Sequence, residues 1–471
     1  MPKLKTWQLT AGSAVAGLAL AAGAVAVAGP WDSGQRKAER DLSAAQDRTG
    51  GAHHATPGPD PAEPAPAPSA RGVLSALGAP AAPAARPNHL KEVLTPLMEK
   101  AALGAFRTAS VVDAATGKQL YGRGQRDAMT PASTVKIATT VAALSALGPD
   151  HRIATTVLAA PDNKRITLKG GGDPTLAKAG LRALAADTAR ALRDKGAGKV
   201  SLTYDTTLYS GPEVHPIGAG NENIARVTPL MVEEGRTDGT RSGIGDRSPD
   251  PAADAARAFA GELRALGVQV TGVPSAGKAP EGAQPVARTL SAPLSALVER
   301  TLTNSDNDLA EALARQTALA AGKEASFAGA GKAVRERLAG LDLPADGLLS
   351  GAHFADGSGL DRNDRVSAGL LTALLARSAD PDHPELRSVL TGLPVAGFSG
   401  TLQSRYAGSA PGTGLVRAKT GTLTGINTLA GTVVTEDGRL LAFAFLASGT
   451  PAPDPAQKAL DAMASALAGA H

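Results

Sequence analysis

The most informative residues of the sequence are a serine and a lysine three positions apart. Ser133 and Lys136 lie in the stretch MTPASTVKIAT, where a proline ends one region and an apolar-periodic run begins. A glycine closes that run, so the pattern predicts a helix with Ser133 at its N-terminus and Lys136 on the same face. A serine hydroxyl attacks a carbonyl carbon when a neighbouring base accepts its proton, so the pair indicates acyl transfer.

The same two residues also fit an ordinary helix start, with a serine N-cap and a solvated lysine. The spacing alone is weak evidence, because Ser275 and Lys278 repeat it in a Pro/Gly-rich stretch where no helix is predicted. For Lys136 to act as a base, its pKa must fall from about 10.4 towards about 7, which disfavours the ammonium by roughly 4 kcal/mol. Burial, the positive end of a helix and a second cation all act in that direction. The hypothesis therefore requires another lysine.

A second motif supplies that lysine just before two apolar runs that predict an antiparallel hairpin. The stretch VRAKTGTLTG contains Lys419, Thr420, Gly421 and Thr422. On an edge strand these residues would present a cation and hydroxyls to an anionic group, and the glycine would let the backbone approach a ligand. The alternative interpretation is a strand-edge turn.

A third motif, Ser305-Asp306-Asn307, precedes a helical run in LTNSDNDLAEALARQ. Its side chains can relay a proton and hold a substrate amide, although a helix cap is the alternative. Taken together and in this order, the three motifs resemble the set found in penicillin-binding proteins and class A β-lactamases. The chain is similar to the D-alanyl-D-alanine carboxypeptidase/endopeptidase family, low-molecular-mass penicillin-binding proteins with a domain inserted after the nucleophile helix.

Other features of the sequence support this resemblance. The interval from Ser133 to Ser305 is too long for a compact β-lactamase. The segments GGGDPTL (170–176), DGSGLDR (356–362) and SGTLQSR (399–405) also look like parts of the family. The resemblance extends from about His89 to the C-terminus. It implies an α/β fold of the penicillin-recognising serine peptidase and β-lactamase type, with an antiparallel sheet flanked by helices and a β-rich inserted domain.

The resemblance also implies a role for each site residue. Ser133 would attack the carbonyl of a terminal D-Ala-D-Ala bond with Lys136 as the base, and Ser305 would pass the proton to the departing D-alanine. Asn307 would bind the substrate backbone or steady Lys136. The backbone N–H groups of Ser133 and Thr422 would bind the oxyanion. The terminal carboxylate would be held by the second motif, Lys419, Thr420, Gly421 and Thr422. No residue is assigned to the activation of the deacylating water.

The predicted partners are peptidoglycan stem peptides ending in D-Ala-D-Ala, with β-lactam antibiotics as inhibitors. The alternatives are a β-lactamase and a non-catalytic, penicillin-binding scaffold protein of the wall. No cofactor or metal is predicted, since cysteine is absent and the eight histidines are scattered. A net charge of +4 from 48 basic and 44 acidic residues, without a long basic run, gives no sign of nucleic-acid binding.

The composition divides the chain into four kinds of region. Residues 1–31 combine early lysines with a long charge-free apolar stretch, which predicts either a cleaved signal peptide or a retained membrane anchor, and hence a protein outside the cytoplasm. Residues 32–88 are Pro/Ala-rich and predict a disordered linker. Residues 89–155 and 289–471 are predicted to form the transpeptidase-like catalytic domain, and residues 156–288 the inserted domain.

Overall fold

The computed structural model describes residues 87–343, 347–406 and 410–469. The predicted export segment 1–31 and almost all of the predicted linker 32–88 lie outside these residues. The first helix, α1 (Pro87–Met98), includes the last two residues of the predicted linker. Among the helices of the described residues, none is both long enough and apolar enough to cross a bilayer.

The chain order of the elements divides into three parts. The first part contains α1, β1 (Phe106–Asp113), β2 (Gln119–Arg123), β3 (Ala128–Met129) and α2 (Val135–Leu147). The middle part contains β4 (Ala154–Ala159), β5 (Arg165–Lys169), α3 (Lys178–Asp194), β6 (Lys199–Asp205), α4 (Pro251–Ala265), β7 (Gln269–Ala276) and β8 (Gln284–Leu290). The last part contains α5 (Leu294–Asn304), α6 (Asn307–Ala320), α7 (Phe327–Ala339), β9 (Val366–Ser367), α8 (Ala368–Ala379), α9 (Arg387–Thr391), β10 (Val416–Leu423), β11 (Ile426–Val434), β12 (Leu440–Ser448) and α10 (Pro453–Ala468).

The main sheet joins the two ends of the described chain. Its strand order is β10-β11-β12-β1-β2, and every neighbouring pair is antiparallel. Strand β12 shows why the sheet is covered on both faces, because successive side chains of a strand point to opposite sides. Phe443 and Phe445 pack with α1 and α10, whereas Ala442 and Ala444 pack with α2 and α8. The sheet is therefore the middle layer of a three-layer α/β fold.

Helix α2 is buried on all sides rather than along one stripe. Every residue from Val135 to Leu144 is buried, including Lys136 and the threonines at 139 and 140. A helix that is enclosed in this way belongs to the interior of a domain. The first turn of this helix, which directly follows the predicted nucleophile Ser133, is thus held by packing from several elements.

The middle part forms a second five-stranded sheet in the order β7-β6-β5-β4-β8. Strands β5, β6 and β7 run parallel, joined by α3 and α4. The inserted region was predicted to be β-rich, but parallel pairing was not predicted. The sheet extends from Ala154, where β4 begins, to Leu290, where β8 ends. The domain boundaries at 156 and 288 stay a prediction.

Candidate active site

Ser133 lies in a tight 3₁₀ turn (Ala132–Thr134) that leads into α2. The turn is held from outside the helix: Thr428 donates a hydrogen bond from Oγ1 to the carbonyl of Pro131 at 2.8 Å. The φ angle of Ala132 is +47°, an uncommon conformation for a non-glycine residue. A Cβ on Gly359 would lie 2.1 Å from the carbonyl oxygen of Ala132, so only glycine fits beside this turn. The neighbours of Ser133 thus fix its backbone.

The lysine of the first motif lies within reach of this serine. Lys136 Nζ donates hydrogen bonds to Ser133 Oγ at 3.1 Å, to Asn307 Oδ1 at 2.7 Å and to the carbonyl of Ser358 at 2.6 Å. The side chain is fully buried. The interpretation of Lys136 as a solvated lysine on an ordinary helix is therefore wrong, and Thr134 rather than Ser133 occupies the N-cap position of α2.

Burial lowers the pKa of Lys136 from 10.5 to about 8. Four carboxyl groups oppose this shift, and the strongest opposition comes from Asp356 and Glu311, followed by Asp306 and Asp364. With a pKa of about 8, roughly one tenth of the amine is neutral at pH 7. This side chain can therefore accept a proton from the hydroxyl that it contacts.

The second amine of the site lies on β10, at the edge of the main sheet. Lys419 is fully buried, and its Nζ donates to Ser305 Oγ at 2.9 Å and to the carbonyl of Thr420 at 2.7 Å. Burial lowers its pKa well below the usual value, and the charges of Lys136 and Arg405 add to the effect. Lys136 thus acts on Lys419, whereas the lowered pKa of Lys136 itself comes from burial and not from the second cation that the sequence argument required.

Gly421 brings β10 against the nucleophile turn. A Cβ at this position would lie 2.1 Å from Thr428 Oγ1 and 2.9 Å from the carbonyl oxygen of Pro131. Of the two predicted threonines, Thr420 is half-buried and donates to Thr401 Oγ1 at 2.8 Å. Thr422 is exposed, and its Oγ1 accepts a long hydrogen bond of 3.4 Å from Gln457. Both threonines flank Gly421 on β10, the strand that approaches the nucleophile turn.

The third motif lies between α5 and α6. Ser305 ends α5 in the left-handed conformation, with φ +58° and ψ +39°. Asp306 is the N-cap of α6 and accepts a hydrogen bond from the backbone N–H of Leu309 at 3.0 Å. The cap predicted as the alternative for this motif is therefore Asp306, which leaves Ser305 free to face Lys419. Asn307 also donates from Nδ2 to the carbonyl of Asn223 at 2.9 Å.

Arg300 of α5 and side chains from the middle part of the chain hold this third motif in place. Arg300 pairs with Asp306 at 3.2 Å and also with the buried carboxyl of Glu234. Arg247 pairs with Asp308 at 3.1 Å, one residue beyond Asn307. Burial raises the pKa of Glu234 to about 8, and the negative charge of Asp306 adds to the shift. The contacts of Glu234 and Arg247 were not predicted, because they join residues far apart in the sequence.

Sequence reasoning also missed the group of residues behind Lys136. The loop 356–361 supplies the Ser358 carbonyl, and the carboxylate of Glu311 accepts hydrogen bonds from the backbone N–H groups of Gly357 and Ser358, both at 2.9 Å. Two signals in the sequence could have indicated them. DGSGLDR was noted as a family segment without a role, and Glu311 and Arg315 are charged residues inside a helical run rich in Leu and Ala.

Among the residues that the structure describes, two clusters of His, Asp and Glu side chains have the geometry to hold a metal ion, namely His215 with Glu311 and Asp356, and Glu234 with Asp306 and Asp308. In both clusters the oxygen atoms already accept hydrogen bonds from protein donors, such as Arg315 on Glu311 at 2.9 Å and Arg247 on Asp308. These contacts account for the clusters as hydrogen-bonding networks.

The three motifs thus converge, through Lys136–Asn307, Lys419–Ser305 and the approach of Gly421 to the nucleophile turn. Fold and site together define a serine hydrolase of the penicillin-recognising class, with a lysine as the nearest base. The structure of penicillin-binding protein 4 from Haemophilus influenzae has the same fold, with a TM-score of 0.65, 22% identity and coverage of 81% of this chain and 98% of that one. The same protein has been solved in complex with a β-lactam.

The family described as D-Ala-D-Ala carboxypeptidase 3 (S13) matches residues 90–242 and 230–468. The chain is 36% identical over 419 residues to carboxypeptidase DacB of Mycolicibacterium smegmatis, which covers 86% of this chain and 85% of that protein. It is 37% identical over 374 residues to a carboxypeptidase of Mycobacterium tuberculosis, which covers 76% of this chain and 79% of that protein. The chain belongs to this S13 family and is a serine-type D-Ala-D-Ala carboxypeptidase, as the motifs predicted.

Proposed function

We propose that the enzyme trims peptidoglycan stem peptides outside the cytoplasm through an acyl-enzyme on Ser133, and that β-lactams acylate the same serine. The observation that carries this proposal is the contact between Lys136 Nζ and Ser133 Oγ at 3.1 Å, made by an amine whose pKa is about 8. A neutral lysine at this place accepts the hydroxyl proton as the oxygen attacks the carbonyl carbon. The new bond from Ser133 Oγ to that carbon forms the tetrahedral intermediate.

Collapse of this intermediate breaks the bond to the leaving D-alanine, whose nitrogen must gain a proton. Ser305 is suited to deliver it, because its Oγ contacts Lys419 Nζ at 2.9 Å. Asn307 accepts a hydrogen bond from Lys136 on one side and donates to the carbonyl of Asn223 on the other. Its role in this proposal is therefore to orient Lys136 rather than to bind the substrate backbone directly.

The terminal carboxylate of the substrate would be bound by Lys419 with the hydroxyls of Thr420 and Thr422, beside Gly421. An incoming carboxylate offers the charge partner that the buried Lys419 lacks. The oxyanion would accept hydrogen bonds from the backbone N–H groups of Ser133 and Thr422, each worth roughly 3 kcal/mol of transition-state stabilisation. Water then releases the acyl group and restores the serine.

The test uses diacetyl-Lys-D-Ala-D-Ala and a fluorescent penicillin on the wild type and on Ser133→Ala. We expect D-alanine release and stable labelling in the wild type and neither in the variant. Ser275→Ala removes the serine of the other Ser-x-x-Lys spacing, on strand β7, and should behave as wild type. Rapid loss of the penicillin label would instead indicate a β-lactamase, and labelling without D-alanine release would indicate a scaffold. An adduct mapped to a serine other than Ser133 would refute the proposed mechanism.

We further propose that the N-terminal segment exports the protein and contacts the membrane at least during export. Support comes from the early lysines and the charge-free apolar stretch before Trp31. Intact mass of the protein recovered from cells distinguishes a cleaved signal near Ala28 from a retained anchor. Recovery of the full-length chain from the cytosol alone would contradict export.

A further inference from the structure

The carbonyl of Ser358 is the closest acceptor of Lys136, and the loop 356–361 holds it in place by folding around one buried carboxylate. Asp356 accepts hydrogen bonds from Ser358 Oγ at 2.9 Å, from the N–H of Gly359 at 2.6 Å and from the N–H of Asp361 at 2.8 Å. The side chain of Asp356 is inaccessible to solvent. The conformation of the loop therefore depends on where this carboxylate lies.

One partner of Asp356 comes from the middle part of the chain. His215 Nε2 lies 2.9 Å from Asp356 Oδ2, and its side chain is 1% exposed. The N–H of Ile217 donates to His215 Nδ1 at 3.1 Å, so Nδ1 is an acceptor and the proton resides on Nε2, which donates to Asp356. The ring packs edge-on against Phe327 at 5.2 Å between centroids. Both nitrogens and the ring plane are thus fixed.

Three acidic groups face this histidine: Asp356, Glu311 at 3.8 Å from Nε2, and Asp361 further away. Glu311 is itself occupied by the N–H groups of the loop and by Arg315. Asp364, next to Asp356, has its pKa raised well above the usual value by burial and by the charge of Asp356. Asp356 is therefore the ionised member of this pair, and His215 donates to an anion.

We propose that His215 is a positioning residue for the reaction: by donating to Asp356 it sets the loop 356–361, and through the Ser358 carbonyl it sets the place of the Lys136 amine. This inference rests on the proposed function of Lys136 as the base. His215 lies in the region between β6 and α4, outside the three motifs. Loss of the donor moves the carbonyl, so the amine loses an acceptor and its alignment with Ser133 Oγ.

The test compares variants that keep different atoms of the ring. His215→Gln keeps a donor near the position of Nε2, whereas His215→Asn keeps an acceptor near Nδ1 without reaching Asp356. His215→Phe keeps an aromatic ring against Phe327 but makes neither hydrogen bond. It replaces His215→Asn in the comparison if the Asn variant does not fold. His383→Asn is the control, because His383 pairs with Glu385 at 2.9 Å outside the three motifs. Thermal unfolding of each variant reports folding.

The measurements are the second-order rate of acylation by a fluorescent penicillin across pH 5 to 10, and kcat and KM for the tripeptide. Misplacement of a catalytic group by about 1 Å can cost about 100-fold, so we expect His215→Asn and His215→Phe to lower the acylation rate and kcat by between about 10- and 100-fold. We expect KM to change less. His215→Gln should recover most of the rate, and His383→Asn should match the wild type.

The pH profile separates positioning from a structural role. An ammonium that loses the Ser358 acceptor is less stabilised, so the acid limb of the profile should move to lower pH in the Asn and Phe variants. If the acylation rate of the Asn and Phe variants falls by the same factor at every pH and the acid limb does not move, the proposal is overturned. Wild-type rates in a folded His215→Asn would also overturn it. Equal impairment of His215→Gln and His215→Asn would overturn it too. Failure of the proposed function itself is a different result, namely an unlabelled wild type.

Discussion

Lys136 and Lys419 are both fully buried, and each donates a hydrogen bond to a serine hydroxyl of the same site. They differ in the charges around them. Lys136 is surrounded by carboxyl groups, of which Asp356 and Glu311 act most strongly, and these hold its pKa at about 8 against the effect of burial. Lys419 has two cations as neighbours, Lys136 and Arg405, and their charges add to the effect of burial in lowering its pKa. The two lysines are thus equally buried but differ in the sign of the charges that act on their amines.

The difference indicates how one site obtains two functions from the same side chain. A base works best when its pKa lies near the working pH, and the carboxylates behind Lys136 achieve this by limiting the effect of desolvation. Lys419 lacks such compensation, so its charged form needs an anion from outside. The acidic network therefore makes Lys136 a resident base, whereas the substrate carboxylate completes the environment of Lys419.

The largest expected effect follows from removing the amine of Lys136. General-base catalysis contributes about 10²- to 10⁴-fold, so we expect Lys136→Met to lower penicillin acylation and tripeptide hydrolysis by that factor. Methionine has a similar length and needs no hydrogen bond, so the variant should remain folded. Thermal unfolding checks this, and Lys278→Met is the control from the other Ser-x-x-Lys spacing. Acylation at the wild-type rate would show that Lys136 is not the base.

A smaller and selective effect is expected for Lys419→Met. Hydrogen bonds to charged groups are worth about 1.5–3 kcal/mol, which corresponds to roughly a 10- to 150-fold loss of kcat/KM for the tripeptide acid. The matched substrate is the same tripeptide with a C-terminal amide, for which the variant should lose much less. If both substrates lose the same factor, Lys419 does not recognise the carboxylate and the comparison of the two amines fails.

The sequence allowed the prediction of the groups that lie in short motifs. Ser133 and Lys136 lie within one turn, so local helical geometry determines their contact. The hairpin β11–β12 was predicted because a Glu-Asp-Gly turn separates two apolar runs. The family and the fold predicted from the motifs are confirmed, while the roles given to the individual site residues stay predictions.

The rest of the site depends on contacts that no local pattern contains. His215 and Asp356 are 141 positions apart, and Glu311 and Gly357 are 46 apart. The left-handed conformation of Ser305 is equally unpredictable, since few residues other than glycine, asparagine and aspartate adopt it. The parallel strands of the second sheet were missed because apolar periodicity indicates a strand but not its partner.

The environment of Lys136 can be altered without touching the amine. Asp356→Asn removes the negative charge that raises the pKa of Lys136 most strongly, so this pKa should fall below about 8. Acylation requires the neutral amine, so the rate rises with pH through the pKa of the free enzyme. The acid limb should therefore move to lower pH in the variant. A limb that stays in place or moves to higher pH would show that the carboxylates do not set the properties of Lys136.

The smallest expected signal is a proton taken up when an anion binds. Burial and two neighbouring cations hold the pKa of Lys419 well below its usual value, so the charged form of this amine is disfavoured in the free enzyme. A carboxylate favours the ammonium, so binding should draw a proton from solvent. Calorimetry with Ser133→Ala, in buffers of different ionisation enthalpy, measures this uptake for the tripeptide acid.

The tripeptide amide and the double variant Ser133→Ala/Lys419→Met are the controls for this uptake. Both lack one member of the carboxylate–amine pair, so neither should show the fraction of a proton expected for the acid. Uptake that persists without Lys419 would place the titrating group elsewhere. Lys136, whose pKa is about 8, would then be the first alternative, since a nearby anion raises the pKa of either amine. In that case the two lysines would respond to substrate as one coupled pair rather than as separate base and carboxylate receptor.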